Sequence, residues 1–331
     1  MQNALNRITS LTALVVGDVM IDAYLWGTVE RMSPEAPVPV VLMSGRDERA
    51  GGAANVARNI ISMGAKVHMA SVVGNDHNGE LLKSLLQERE INTGAIVIED
   101  GRPTTVKTRV INKSANSEHM LRVDEETSEQ IKSDTQNQLQ TEIEKVLESE
   151  QIDLIVIEDY DKGVMSEGLA NFLIEQGRER GIMVAVDPKL RNFNFYRGVD
   201  LFKPNLKELR EGLQTQADST SRDSMIAAVE SLHSELNPRM TLTTLGSEGM
   251  WTHSPENGCV HHHEKGLDRD VIDVSGAGDT VIAVASLMLA AGSSPQDATK
   301  AANICGGLVC EESGVVMIDR ESLIKELSSN G

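Results

Sequence analysis

The chain has 331 residues, a formal charge of −19, 40% apolar side chains and only 3% aromatics. Such acidity excludes nucleic acid or an anionic membrane as the main partner, because phosphate backbones are met by Lys and Arg. A phosphorylated ligand would have to be received by a few local basic residues or by backbone amides, above a core of Val, Ile, Leu, Met and Ala.

In chain order, Ala13-Leu-Val-Val-Gly17 reads as a buried parallel strand, with Asp18 and Asp22 at its C-terminal end, where ligands bind in open α/β sheets. Residues 24–43 carry Pro34, Pro37 and Pro39, which suits edge strands of a flap. A glycine-led helix over 50–63, a strand over 66–73 and a helix over 79–89 follow. Residues 104–111 alternate as a half-exposed strand, and so do 120–123; both are expected to pair with the flap. An amphipathic helix is predicted over 127–150. Strands then alternate with helices: strands at 154–157, 183–186, 201–203 and 240–244, helices at 168–180, 206–213 and 221–234. A hairpin is predicted from 249–253 and 259–262, then helices over 280–291 and 295–310. The alternation predicts an α/β protein, one domain over 1–331, with a lid inserted as strands from about 23–45 and 102–124. No membrane span or secretory segment is legible. Cys259, Cys305 and Cys310 are too sparse for a disulfide framework, so they read as small buried residues in a cytoplasmic protein.

The strongest motif is Asp273-Val-Ser-Gly276-Ala277-Gly278-Asp279, immediately before an apolar helix. Unpaired amides at a helix N-terminus receive anions, and glycines let a phosphate approach the backbone. A carboxylate beside such a cradle repels the phosphate, so Asp279 needs a role; taking a proton from an attacking hydroxyl is one. Gly51-Gly52-Ala-Ala-Asn55 suits a polyol lying against backbone, with Asn55 as donor and acceptor; a tight turn fits equally. Asn205 and Glu208 begin a helix. Their spacing alone favours a capping box, and also fits Mg²⁺ held through water. Lys107, Arg109 and Arg122 lie on the flap, while Asp159, Lys162 and Lys189 follow strands. The triplet His261-His262-His263 makes a poor chelate, because adjacent strand residues face opposite ways. Neither a P-loop nor a dinucleotide fingerprint is present.

Over nearly its whole length the chain resembles the ribokinase-like (PfkB) carbohydrate kinases, carrying both the Gly-Gly-x-x-Asn and the Asp-x-x-Gly-Ala-Gly-Asp signatures. Within them it looks most like the D-glycero-β-D-manno-heptose 7-phosphate kinases. The segments are Val16-Gly-Asp-Val-Met-Ile-Asp22, residues 31–41, Pro103-Thr-Thr-Val-Lys-Thr-Arg109, Leu121-Arg-Val-Asp124, Asp159-Tyr160, Lys162-Gly163 and Asp187-Pro-Lys189. The resemblance implies a three-layer α/β/α fold with a mainly parallel sheet and a small β lid. It implies Asp279 as base, an anion hole at Gly276, Ala277 and Gly278, and sugar contacts from Asp22, Gly51, Gly52, Asn55 and Asp159. Lys107, Arg109, Arg122, Lys162 and Lys189 become candidates for a substrate phosphate. Asn205 and Glu208 would serve Mg²⁺ and the nucleotide phosphates; Thr244, Gly246 and Asn303 would line the ATP site. Asp273 would attend a monovalent cation such as K⁺, and a homodimer through the lid is expected.

Two departures stand out. Val274 replaces the family's usual Thr, and Glu158 stands where several relatives have Ser. Some relatives continue into a nucleotidyltransferase; the sequence here implies the kinase portion alone. Other sugar kinases of the fold (for ribose, fructose or a ketodeoxy sugar acid), a silent sugar-binding protein and a dehydrogenase are the competing readings.

Overall fold

The computed structural model describes residues 1–113 and 118–329. Thirteen strands fall in two sheets: β1 (Thr12–Gly17), β2 (Val19–Met32), β3 (Pro39–Gly52), β4 (Lys66–Gly74), β5 (Asn92–Glu99), β6 (Val106–Asn112), β7 (Glu118–Glu125), β8 (Leu154–Glu158), β9 (Met183–Asp187), β10 (Leu201–Phe202), β11 (Met240–Thr244), β12 (Met250–Ser254) and β13 (Cys259–Glu264). The helices are α1 (Gln2–Arg7), α2 (Ala53–Ser62), α3 (His77–Gln87), α4 (Ser133–Ser149), α5 (Glu167–Arg180), α6 (Leu206–Gly212), α7 (Arg222–Leu236), α8 (Ala277–Ala290), α9 (Pro295–Cys310) and α10 (Arg320–Ser329).

The larger sheet runs β13-β12-β11-β10-β9-β8-β1-β4-β5 and is parallel except for the β11–β12–β13 edge. Its central strands are apolar on both faces because helices cover both. In β1, Ala13 and Val15 join the core shared with α2, α8 and α9, while Leu14 and Val16 join the core beneath α4, α5 and α7. The same alternation in β8 sends Leu154 and Val156 one way and Ile155 and Ile157 the other. Three layers result, as the α/β/α expectation required. Chain order reverses beside β1, whose neighbours are β8 and β4. The crevice at the carboxyl ends of β1, β8 and β9 is therefore the topological switch point.

The smaller sheet has the order β3-β2-β6-β7. β2 and β3 form a long antiparallel hairpin with register shifts at Trp26/Gly27 and Val29/Arg31, and β6 joins β2 in parallel. The proline-bearing strand is an edge, as the sequence implied. The lid strands reach further than the predicted bounds, from Val19 and on to Gly52; residues 114–117 of the predicted lid lie outside those described. α1, β5 and α10 were not expected. Cys305 is buried and Cys310 half-buried; the Cys259 side chain lies outside the described residues. Among the described residues, no helix is long and apolar enough to cross a membrane.

Candidate active site

Gly276 is the N-cap of α8, with φ +81°, and Asp279 stands in the first turn. A Cβ at Gly276 would lie 2.9 Å from Asn55 Nδ2, so both the left-handed backbone and the close approach require glycine. Asn55, in the first turn of α2, donates from that Nδ2 to Asp279 Oδ2 at 2.8 Å. The two glycine motifs, 224 residues apart, thus meet at one carboxylate. Asn55 Oδ1 is buried without a partner. At the end of β3, a Cβ on Gly51 would collide with the Asp22 carboxylate, while Gly52 has φ +59° and passes close to the Asp18 carbonyl.

Tyr160 donates its hydroxyl to the other oxygen, Asp279 Oδ1, at 2.7 Å. Burial pushes the Asp279 carboxyl up to about 6, while the Asn55 and Tyr160 hydrogen bonds hold it down. Burial thus leaves this carboxylate more basic than an ordinary aspartate. Sequence reasoning did not give Tyr160 a role. The available signal was its rarity, one of three tyrosines in the chain, at the C-terminal end of β8.

A cavity of about 510 Å³ opens over Asp279. Tyr160, Asp187, Lys189, Lys203, Asn205, Thr244, Gly246, Gly276 and Gly278 line it. Lys203 is buried, with Nζ 2.7 Å from Asp187 Oδ2. Burial works against its charge, but Asp187 and Glu158 outweigh it and raise the ammonium's pKa. Lys203 was also missed; a lysine closing the two-residue apolar strand β10 was its signal. An acidic protein thus gathers two lysines, Lys189 and Lys203, around the cavity over Asp279.

Several expected residues occupy other places. Asp159 is fully buried, its Oδ2 accepting from Tyr196 (2.7 Å) and Asn192 (3.0 Å) and its Oδ1 from the Asp161 amide (2.8 Å). It holds its loop rather than a sugar. Asp18 does likewise, accepting from the amides of Tyr160, Lys162 and Val164. Lys189 lies on the Asn205 side of the cavity, its ammonium 5.0 Å from the Tyr160 ring centre and 3.0 Å from Glu208 Oε1. Asn205 and Glu208 form the reciprocal capping box of α6, both bonds 2.9 Å. With those oxygens engaged, the pair fits a cation only through water. Asp273 accepts from the Ser275 and Gly314 amides, both at 2.9 Å, tying down the loop. Asn303 donates to the Lys265 carbonyl at 2.8 Å, beside a second cavity lined by Trp251, Lys265 and Gly266.

On the lid, Arg109 Nη1 donates to Asp22 Oδ1 at 2.5 Å, and its guanidinium lies 5.4 Å from the Tyr24 ring centre. Arg49, not singled out in the sequence, covers the same ring at 5.1 Å. Lys107 and Lys162 share Glu126, at 2.8 and 2.7 Å. Arg122 is exposed and makes two bonds to Asp124. Among the described residues, Glu158, Asp187 and Asp279 form the one set of three ligating side chains that converges within 4.8 Å; the histidine triplet does not take part.

A buried carboxylate with donors on both oxygens, at the glycine-capped start of a helix beside a lysine-lined cavity, is an arrangement suited to phosphoryl transfer to a hydroxyl. The pfkB family carbohydrate kinase model matches residues 11–320, and the chain belongs to that family of phosphotransferases with an alcohol acceptor. It is 38% identical over 321 residues to Bifunctional protein HldE of Citrifermentans bemidjiense, and 40% identical over 316 residues to the protein of the same name from Methylobacillus flagellatus. These alignments cover 97% and 96% of this chain, but only 64% and 63% of those relatives. In fold it is similar to phosphofructokinase-2 from Escherichia coli in complex with potassium (TM-score 0.78, 20% identity, 96% of this chain and 98% of the other). It is also similar to Arabidopsis thaliana ribokinase complexed with ribose and ATP (TM-score 0.70, 16% identity, 96% and 98%).

Proposed function

We propose that the chain uses ATP to phosphorylate the anomeric hydroxyl of D-glycero-β-D-manno-heptose 7-phosphate, giving the 1,7-bisphosphate, a precursor for ADP-heptose. The observation that carries the phosphoryl transfer is Asp279, aimed by Asn55 and Tyr160 and set in the first turn of α8. The sugar class rests on the chain's likeness to heptose 7-phosphate kinases, which includes lid segments such as 103–109 and 121–124.

In this reading the sugar lies between Asp22, the Gly51–Gly52 backbone and Asn55. Asp279 takes the proton of the attacking hydroxyl, and the amides of Gly276, Ala277 and Gly278 receive the transferring group. Lys189 and Lys203 line the path of the nucleotide phosphates, with Thr244 and Gly246 further along the same cavity. Asn303 belongs to the base end through the Lys265 loop. Mg²⁺ carried with ATP neutralises phosphate charge; Asn205 and Glu208 would meet it through water. A monovalent cation beside the Asp273 loop belongs to the same reading. The substrate's own phosphate falls to Lys107 and Lys162, which exchange Glu126 for it, with Arg109 and Arg122 nearby. The whole chain acts as a single kinase unit whose lid closes over the sugar and excludes water. Met32, Leu42, Met43 and Leu121 are exposed apolar residues on the lid strands, and a second copy pairing there would cover them.

The test is product analysis by ³¹P NMR with heptose 7-phosphate and Mg-ATP. An anomeric phosphate resonance appearing in step with ADP supports the proposal; ADP release from fructose or ribose substrates and none from heptose 7-phosphate overturns it.

A further inference from the structure

Arg49 has no task in the reading above, yet it joins two parts of the site. It stands on β3 opposite Asp22, at the base of the lid hairpin. Its Nε donates to Asp47 Oδ2 at 2.8 Å, its guanidinium lies over the buried Tyr24 ring, and its Nη1 donates to the Val315 carbonyl at 3.1 Å. The Val315 amide donates to Tyr24 Oη at 3.4 Å. The lid base thus holds both backbone groups of one residue in the loop between α9 and α10, 266 residues from Arg49. The approach is close. Gly314 has φ +76°, and a Cβ there would lie 3.1 Å from Arg49 Nη1 and 3.3 Å from Tyr24 Oη.

That loop bears in turn on the start of α8. A Cβ at Gly276 would lie 3.3 Å from Val315 Cγ1, so the buried Val315 side chain packs against the N-cap. The Gly314 amide donates to Asp273 Oδ2, whose Oδ1 accepts from the Ser275 amide, both at 2.9 Å. A shift of residues 314–315 would therefore move the backbone from Asp273 to Gly276. We infer that Arg49, with Tyr24 beneath it, is a positioning residue that acts through Val315 to hold the amides at the start of α8 in place for the transferring group. Arginine suits the post, because one edge of its fork holds Asp47 while the remaining nitrogen reaches a carbonyl. The inference rests on the role proposed above for Gly276, Ala277 and Gly278, but not on the identity of the sugar.

The experiment measures kcat and KM by coupled ADP detection. The acceptor is heptose 7-phosphate, or fructose 6-phosphate if the wild type phosphorylates that sugar instead, so a wrong sugar and a wrong role for Arg49 give different results. Arg49→Ala should lower kcat about 10–100-fold with KM for sugar and ATP within about threefold, since small displacements of a reacting site are costly. Arg49→Lys should recover only part of that loss, because one ammonium cannot serve both Asp47 and the carbonyl. Tyr24→Phe keeps the stack and removes only the hydroxyl; it should show the same split at about threefold, which keeps the test in hand if Arg49→Ala folds poorly. Val315→Ala should lower kcat about tenfold, and Arg49→Ala/Val315→Ala should fall no further than the worse single variant, because the two act in one chain of contacts. Arg46→Ala, exposed on the same strand, should stay within about twofold of wild type. Normal kcat in Arg49→Ala, a rise in sugar KM alone, losses that multiply in the double variant, or an equal loss in Arg46→Ala would each overturn the inference.

Discussion

The α8 start and the lid are built on opposite principles. Around Asp279 the groups are buried and tied across the chain: Asn55 from α2, Tyr160 from the β8 loop, and Gly276 held where no larger residue fits. On the lid, the charged groups pair near solvent, as in Arg122 on Asp124 or Lys107 on Glu126, which Lys162 from the loop after β8 also reaches, and the strands carry register shifts. The first arrangement fixes geometry before any ligand arrives, as a transition state demands. The second consists of ion pairs near solvent, which the function proposed above has a phosphate enter. On the function proposed above, the contrast assigns reaction type to the sheet and its helix termini, and sugar choice to the lid.

Substitutions in each region should fail differently. The largest effect is expected for Asp279→Asn: kcat falls by at least about 100-fold while sugar binding, measured by calorimetry, persists. Near-normal turnover would remove the base assignment. Gly276→Ala comes next. Its Cβ meets Asn55 in a left-handed backbone, so kcat should fall about 10–100-fold and stability by about 1–3 kcal/mol in urea unfolding. Tyr160→Phe removes one donor from Asp279 and should cost about tenfold in kcat with KM for sugar little moved. An effect on KM alone would place Tyr160 with the sugar instead.

The smallest effect lies away from both regions. Burial first, then His253 and His261, push His233 down to about 4 from an ordinary 6.5. A depressed histidine adds stability that is complete above pH 6.5 and is lost as pH falls toward 4. His233 is only half-buried, so solvent screening cuts the effect to about 1 kcal/mol. Urea midpoints at pH 7 and pH 5 should differ accordingly, and less so in His233→Gln.

Much of this was legible in the residues. The apolar runs at β1 and β8 demanded helices on both faces, and the Gly-Ala-Gly step before an apolar helix located α8 and its acid. The proline-bearing edge and the alternating 104–111 segment anticipated the lid. What the sequence hid was partnership at long range. Spacing along the chain does not reveal that Asn55 donates to Asp279. It also does not reveal which of two adjacent acids turns inward to a scaffold: Asp159 is held by Tyr196 and Asn192, whereas Glu158 faces Asp187 and Asp279. Lys189 and Lys203 were ambiguous for the same reason, since both follow short strands and only the packed sheet sets their neighbours. β5 was obscured by Asn92, Thr93 and Gly94, which resemble a turn and are tolerated because β5 is an edge strand bonded only to β4.

The division between core and lid is tested most directly by one ratio: kcat/KM for heptose 7-phosphate over kcat/KM for heptose, in wild type and in Lys107→Ala/Lys162→Ala. Each charge-assisted contact to a phosphate is worth about 1.5–3 kcal/mol. The wild-type ratio should therefore exceed about 100, and in the double variant it should collapse to within about tenfold of unity. An equal ratio in both proteins would contradict the account.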